Sequence, residues 1–350
     1  MKETLGKYLH FFELKEMTLN FTEPKHIGNH ALYPALLKHN NQVFSMKIVE
    51  LGDSQEIIMI LLEKLEVYCK INSPYFLNII AFTVDSTSEK ANIYLFYETF
   101  TEKLNDFLEQ NETNPQISQK CFYWIIFIVQ TFQNSGFLLS YLTENNFVIA
   151  KTLIPKFADF DFEILTKTPK QTIAIDPAKS MNILQFAQYA IPPELLYGFM
   201  KSNKSTLSIG SVIWSLGTIG FWIFGRRRLF EGVEVKTYED FKTFYNQEKI
   251  FARIESFIIE EWCKTLLKML LNMNQQERTN LNLQQVLSTN ANGIVEFPNE
   301  SYLTLNGFLY ANFMEIDTKD QEIFLGNKEY FRGECLGSLP NGKCQFNSSK

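Results

Sequence analysis

From Leu207 to Gly225 the chain runs nineteen residues, LSIGSVIWSLGTIGFWIFG, without a charge and stops against Arg226, Arg227 and Arg228. At about 1.5 Å of rise per residue a helix of that length nearly crosses a bilayer, with the arginines as a cytoplasmic anchor. The same stretch suits the central helix of a large soluble domain, apolar all round because other elements cover every face. Four glycines and three serines dilute its apolarity, so the remainder of the chain has to decide.

With 350 residues, 45% of them hydrophobic, there is material for two domains or for one large domain with an appendage. A formal charge of −6 leaves no broad basic field, so nucleic acid is not an expected partner. The five cysteines are odd in number, scattered and free of any C-x-x-C pair, which suits thiols in a reducing compartment and an intracellular, cytoplasmic protein. Charges interrupt the apolar residues of the first sixteen positions, so neither a secretory signal nor an anchor is expected there. All four histidines fall within the first 39 residues. Beyond them no imidazole exists to act as a base or a metal ligand, which argues against Ser-His-Asp hydrolases, papain-like proteases and H-E-x-x-H metalloenzymes.

Leu32 to Lys38 and Val43 to Val49 read as strands around the polar break His39-Asn40-Asn41. Glu56 to Ile71 carries apolar residues at helical spacing, and Phe76 to Thr83 and Asn92 to Tyr97 read as further strands. From Glu102 the pattern turns helical: Lys103 to Glu109, Cys121 to Phe132, the uncharged stretch, Thr237 to Gln247 and Trp262 to Leu271. Strands first and helices later predict an α+β fold in two lobes and not an alternating parallel sheet. Residues 289–350 change again, to aromatic pieces broken by Asn-Gly pairs, which predicts hairpins in a separate C-terminal unit.

Seven short motifs follow one another. They are Val43-Phe44-Ser45-Met46-Lys47, Asn72-Ser73-Pro74-Tyr75, Tyr97-Glu98-Thr99-Phe100, Lys156-Phe157-Ala158-Asp159-Phe160-Asp161, Pro192-Pro193-Glu194, Ser211-Val212-Ile213-Trp214-Ser215-Leu216-Gly217 and Gln276-Glu277-Arg278-Thr279. In that order and spacing they resemble V-A-I-K, the H-P-N turn, the gatekeeper and hinge, K-I-A-D-F-G, A-P-E, S-D-x-W-S-L-G and the distal arginine of the eukaryotic protein kinase family. The resemblance covers residues 21–288, with a β-rich small lobe at 21–98, a helical lobe at 99–288 and an N-terminal extension at 1–20. It implies that Leu207 to Gly225 is a buried helix with no transmembrane role, and that Arg226 to Arg228 form a solvated loop after it. It further implies ATP and Mg²⁺ as cofactors: Gly28 remains from the phosphate loop, Lys47 meets phosphates, Glu98 and Phe100 belong to the hinge, and Asn146 and Asp159 are metal ligands. Arg278 is implied to pair with Glu194.

The departures concern chemistry. Gly28-Asn29-His30-Ala31-Leu32-Tyr33 keeps only the first glycine of the phosphate loop, so large side chains hinder close approach of backbone to phosphate. Leu139-Ser140-Tyr141-Leu142-Thr143-Glu144-Asn145-Asn146 stands where the family has H-R-D-L-K-P-E-N. Tyr141 therefore replaces the aspartate that accepts the substrate proton, and losing a general base costs roughly 10²- to 10⁴-fold in rate. Glu144 lies three positions on, as a poor substitute. Ser140 replaces the arginine that reads an activation-loop phosphate, so phosphorylation at Thr166, Thr168, Thr172 or Ser180 has no internal arginine switch. Asp161 replaces a glycine, Val212 replaces the central-helix aspartate that ties down the catalytic loop, and the register of Glu63 or Lys64 against Lys47 stays open.

These losses, set beside the retained Glu194 and Arg278, lead to the expectation of a catalytically impaired kinase homologue. Such a pseudokinase acts as a scaffold or allosteric regulator of protein partners, with residual ATP binding. The alternative is a divergent Ser/Thr-type kinase working through Lys47, Asn146 and Asp159. At Tyr330 to Lys343, YFRGECLGSLPNGK, the tail resembles one repeat of the MORN type, and Tyr302 to Met314 offers it preceding strands.

Overall fold

The computed structural model describes residues 5–7, 9–27, 30–51, 55–69, 71, 73, 75–85, 91–112, 114–139, 142–150, 155–160, 165–167, 172–175, 191–201, 205–231, 238–283, 317–326, 329–336 and 339–348. Strands β1 (His10–Phe11), β2 (Met17–Leu19), β3 (Lys25–Ile27), β4 (His30–Leu37), β5 (Gln42–Glu50), β6 (Ile79–Asp85) and β7 (Asn92–Tyr97) make one sheet. Their order is β1-β6-β7-β5-β4-β2, with β3 also on β4, and helix α1 (Gln55–Cys69) joins β5 to β6. The expected hairpin is β4 and β5. Its turn is closed by Asn41 at φ 57° and by the Gln42 N–H donating to Asn40 Oδ1 at 3.0 Å, a left-handed position that asparagine tolerates.

Alternation along β4 and β5 produces two buried faces. Leu32 feeds the main core, while Ala35, Leu37, Phe44 and Met46 build a second cluster with Met17, Tyr94 and Phe96 on the outer side. Phe12 covers that side, its ring 6.0 Å from Phe44 and 6.1 Å from Phe96. Residues 10–19, expected as an extension, thus supply two strands and a cover to the small lobe, with β1 parallel to β6.

The second lobe holds α2 (Leu104–Gln110), α3 (Pro115–Asn134), α4 (Pro193–Met200), α5 (Ile209–Gly225), α6 (Tyr238–Phe244), α7 (Gln247–Glu255), α8 (Glu261–Leu270) and α9 (Gln275–Thr279). Short strands lie among them: β8 (Phe100–Lys103), β9 (Phe137–Leu139), β10 (Phe147–Ala150), β11 (Pro155–Phe157), β12 (Leu165–Lys167), β13 (Thr172–Ile175) and β14 (Ser205–Ser208). Two lobes of α+β character result, as the order of elements predicts. The helix expected over Thr237 to Gln247 runs from Tyr238 to Phe244, and a further helix follows from Gln247, started by Asn246 accepting the Lys249 N–H at 3.1 Å.

The uncharged stretch is α5, buried along nearly its whole length against α3, α8 and α9. Its glycines are contact points. A Cβ at Gly217 would sit 2.7 Å from Leu271 Cγ, and one at Gly220 would run into the Phe122 ring. Among the described residues no helix is long and apolar enough to cross a membrane, so the bilayer reading of this segment falls. The arginines after it do more than meet solvent. Arg226 ends the helix in a left-handed conformation at φ 51° and donates to Ser118 Oγ at 3.0 Å. Arg227 lies 5.8 Å from the Phe257 ring, and Arg228 pairs with Glu144. Three cations at a helix C-terminus also complement its dipole.

Beyond the second lobe, β15 (Asp317–Gly326), β16 (Glu329–Leu336) and β17 (Leu339–Ser348) form an antiparallel meander in which Phe331 faces both Ile323 and Phe346. Residues 284–316, and with them the strands expected at Tyr302 to Met314, lie outside the described residues.

Candidate functional site

The residues singled out for chemistry converge where the small sheet meets the helical lobe. Lys47 sits on β5, on the face opposite Phe44 and Met46, and β5 pairs with β7 so that Lys47 stands across from Leu95. Its ammonium donates to the main-chain carbonyl of Phe160, a residue of the Ala158-Asp159-Phe160 segment just past β11. A lysine of the phosphate-binding type thus holds the chain's own backbone.

Phe160 belongs to the main hydrophobic core. Its side chain is only 3% exposed. The Tyr97 ring meets it edge-on at 5.5 Å, and the His30 ring lies tilted at the same distance. Tyr97 ends β7 and His30 opens β4, so the ring is held between the gatekeeper position and the phosphate-loop side of the roof. Burying a phenylalanine contributes about 1.5–3 kcal/mol, and each aromatic pair adds about 0.5–1.5 kcal/mol beyond the area term.

Asp159 turns the other way. It is 3% exposed, and its Oδ2 accepts a hydrogen bond from the hydroxyl of Tyr68 on α1. Leu62, Leu65 and Tyr68 form the inward stripe of that helix, spaced by three as a buried face requires. Glu63 lies on the exposed side and Lys64 at its border, so the inward position next to Asp159 belongs to Tyr68. The aspartate is thereby aimed at the helix, and the phenylalanine beside it at the cleft.

The second implied metal ligand is also engaged. Asn146 closes a single helical turn, Glu144–Asn146, where its Oδ1 accepts from the Thr143 N–H at 2.7 Å and from Thr143 Oγ1 at 3.1 Å. The Asn146 carbonyl accepts the Ala158 N–H at 2.8 Å, which sets the two segments side by side. Asp159 Oδ2 on Tyr68 and Asn146 Oδ1 on Thr143 are thus turned to partners within the chain, in an arrangement that does not present these two oxygens to Mg²⁺.

The hinge residues serve structure. Glu98 takes the Lys156 ammonium at 2.8 and 2.7 Å through its two oxygens and the Asn78 N–H at 3.0 Å, while its own N–H donates to Asn78 O at 3.1 Å. This ties β7 to β11. A backbone exchange reinforces the join, since Phe157 N–H donates to Tyr75 O and Leu77 N–H to Phe157 O, both at 2.8 Å. Phe100 is buried, and its carbonyl lies 3.5 Å from the Lys25 ammonium.

Glu144, weighed above as a stand-in base, is buried and accepts from both Nε, at 3.0 Å, and Nη2 of Arg228. It anchors the segment that leads to Asn146. Val212 is fully buried on α5, so the tie from the central helix to this region runs through the arginine just past its far end. Tyr141, Ser140, Gly28 and Asp161 lie outside the described residues, as do Asn72, Pro74, Thr168 and Ser180.

Some 84 residues apart in sequence, Glu194 and Arg278 do meet. Arg278 Nη2 donates to Glu194 Oε2 at 2.6 Å and Nε to Gly210 O at 2.8 Å, with the guanidinium 5.3 Å from the Trp214 ring. Ser211 Oγ donates to the second Glu194 oxygen at 2.8 Å. Burial lowers the pKa of Arg278 from its usual value, and Glu194 works against that shift. Tyr68 and Lys25 are contributors the sequence did not single out. Only Tyr68 left a signal, as the third residue of an apolar stripe.

A family model described as the protein kinase domain matches residues 28–290. No curated protein matched the chain.

Proposed function

The chain belongs to the protein kinase family, and we propose that within it this protein is a pseudokinase, working by binding protein partners and not by phosphoryl transfer. One observation carries the reading: the Phe160 ring packs against His30 and Tyr97, on the side where the kinase resemblance puts the nucleotide, while Lys47 is engaged by the Phe160 carbonyl. A nucleotide entering there has to displace a buried aromatic ring and give Lys47 a better partner. Tyr141 in place of the proton-accepting aspartate supports the same conclusion from the sequence.

The fold's fastenings suit a scaffold. Glu194 and Arg278 hold the helical lobe, Glu98 and Lys156 hold the lobes together, and the central helix is packed on every side. The tail at 289–350 is taken as a MORN-type hairpin unit, consistent with the pairing of β16 and β17 at its repeat-like segment. A cytoplasmic location follows from the cysteine usage.

The alternative, a divergent Ser/Thr-type kinase, draws on Lys47, Asn146 and Asp159 being of the right type for phosphates and metal. The two separate in a transfer assay with γ-labelled ATP and Mg²⁺, run on the full chain with Lys47→Ala and Asp159→Ala as controls. The pseudokinase reading expects no label above background in any of the three. Transfer that both substitutions abolish establishes the enzyme instead.

A further inference from the structure

Lys25 makes a separate contact between the small sheet and the second lobe. It lies on β3, which hangs on β4 through Lys25 opposite Leu32 and Ile27 opposite His30, and so belongs to the roof. Its ammonium reaches 75 residues along the chain to β8. There it donates to Thr101 O at 3.0 Å and approaches Phe100 O at 3.5 Å, with the Phe100 ring centroid 5.2 Å away. Strand β8 pairs with β10, and Thr101 Oγ1 donates to Ala150 O at 2.9 Å, so the acceptors are fixed to the helical lobe. Two carbonyls and a ring face converge on one cation, in the arrangement an ammonium with three donors satisfies.

We propose that Lys25 is a bolt across the mouth of the cleft, closing the roof onto the hinge and setting how often the mouth opens. The contact crosses from one lobe to the other at the rim, while Phe160 closes the interior. Lys25 itself is solvent-exposed, so its charge is the accessible part of the closure. The carbonyls it holds belong to Phe100 and Thr101, the first residues of β8. The bolt concerns the same cleft as the functional reading above, but it rests on this contact alone and holds whether or not the chain transfers phosphate.

Hydrogen–deuterium exchange of the full chain reads the bolt directly, without any nucleotide. Lys25→Met keeps the aliphatic stem and removes the donors, whereas Lys25→Arg keeps a cation and donors. Losing contacts of this kind is expected to speed local opening about fivefold. Amides in residues 25–37 and 98–103 of Lys25→Met should therefore exchange about fivefold faster than in the unaltered protein, with α5 unchanged and Lys25→Arg close to the unaltered rates. Unaltered exchange at both segments in Lys25→Met overturns the proposal. So does acceleration spread equally through α5, which marks general destabilisation, and so does a Lys25→Arg variant as fast as Lys25→Met.

Discussion

Two ionic sites in this molecule began from the same family plan, and they have fared differently. At the anchor of the helical lobe, Arg278 is fully buried and still meets Glu194, Gly210 and Asn272, over the face of Trp214. At the cleft, Lys47 and Asp159 remain, but their partners are Phe160's backbone and Tyr68. The anchor holds the fold, and a charge stranded there has no water to fall back on. In the proposed pseudokinase the cleft's charges no longer answer to a ligand, and the nearest polar groups of the chain take them over. Retention of a charged residue type is therefore poor evidence for its chemistry, and its partner is the better guide.

The largest effect that tests this contrast is expected from Arg278→Ala. Removing one partner of a buried pair costs about 3–5 kcal/mol, and at about 2–4 °C per kcal/mol the melting temperature should fall by about 10 °C in calorimetry. A shift of less than about 3 °C would erase the distinction between anchor and cleft. Close behind comes Phe160→Ala, for which the lost burial and ring contacts predict a loss of about 3–5 kcal/mol in unfolding free energy by denaturant titration, with m unchanged. If that variant is as stable as the unaltered protein, the ring is not the packed plug described.

Tyr68→Phe is smaller. It strips a donor from a buried carboxylate and should cost about 1.5–3 kcal/mol at neutral pH. Lys47→Met should be smaller, about 1 kcal/mol for its hydrogen bond to the Phe160 carbonyl. A cost as large as that of Arg278→Ala would mean that Lys47 is a structural anchor too.

Much of this was legible in the chain. The alternation in β4 and β5, the polar turn at Asn40 and Asn41, and the helical spacing of Leu62 and Leu65 follow from local periodicity, which a sequence displays openly. The Glu194 and Arg278 pair was legible because both residues sit in recognisable motifs. The state of the cleft was not. Whether Phe160 points into the cleft or away from it depends on a few backbone torsions beside Asp159, and no residue pattern encodes them. Phe12 covering the outer sheet, Lys25 reaching Thr101 and Arg228 reaching Glu144 are all contacts between residues 32 or more positions apart, made by side chains that look like ordinary surface residues in the sequence. The helix break at Asn246 was readable in principle, since asparagine ahead of Gln247-Glu248 is a capping signal.

Calorimetric titration of Mg²⁺-ATP into the full chain and into Phe160→Ala tests the central claim most directly. If the cleft is filled from within, the unaltered protein gives no saturable heat at millimolar nucleotide, and Phe160→Ala gains measurable binding. Saturable binding by the unaltered protein that Phe160→Ala leaves no tighter would contradict the account, since the ring would then not stand between the nucleotide and its site.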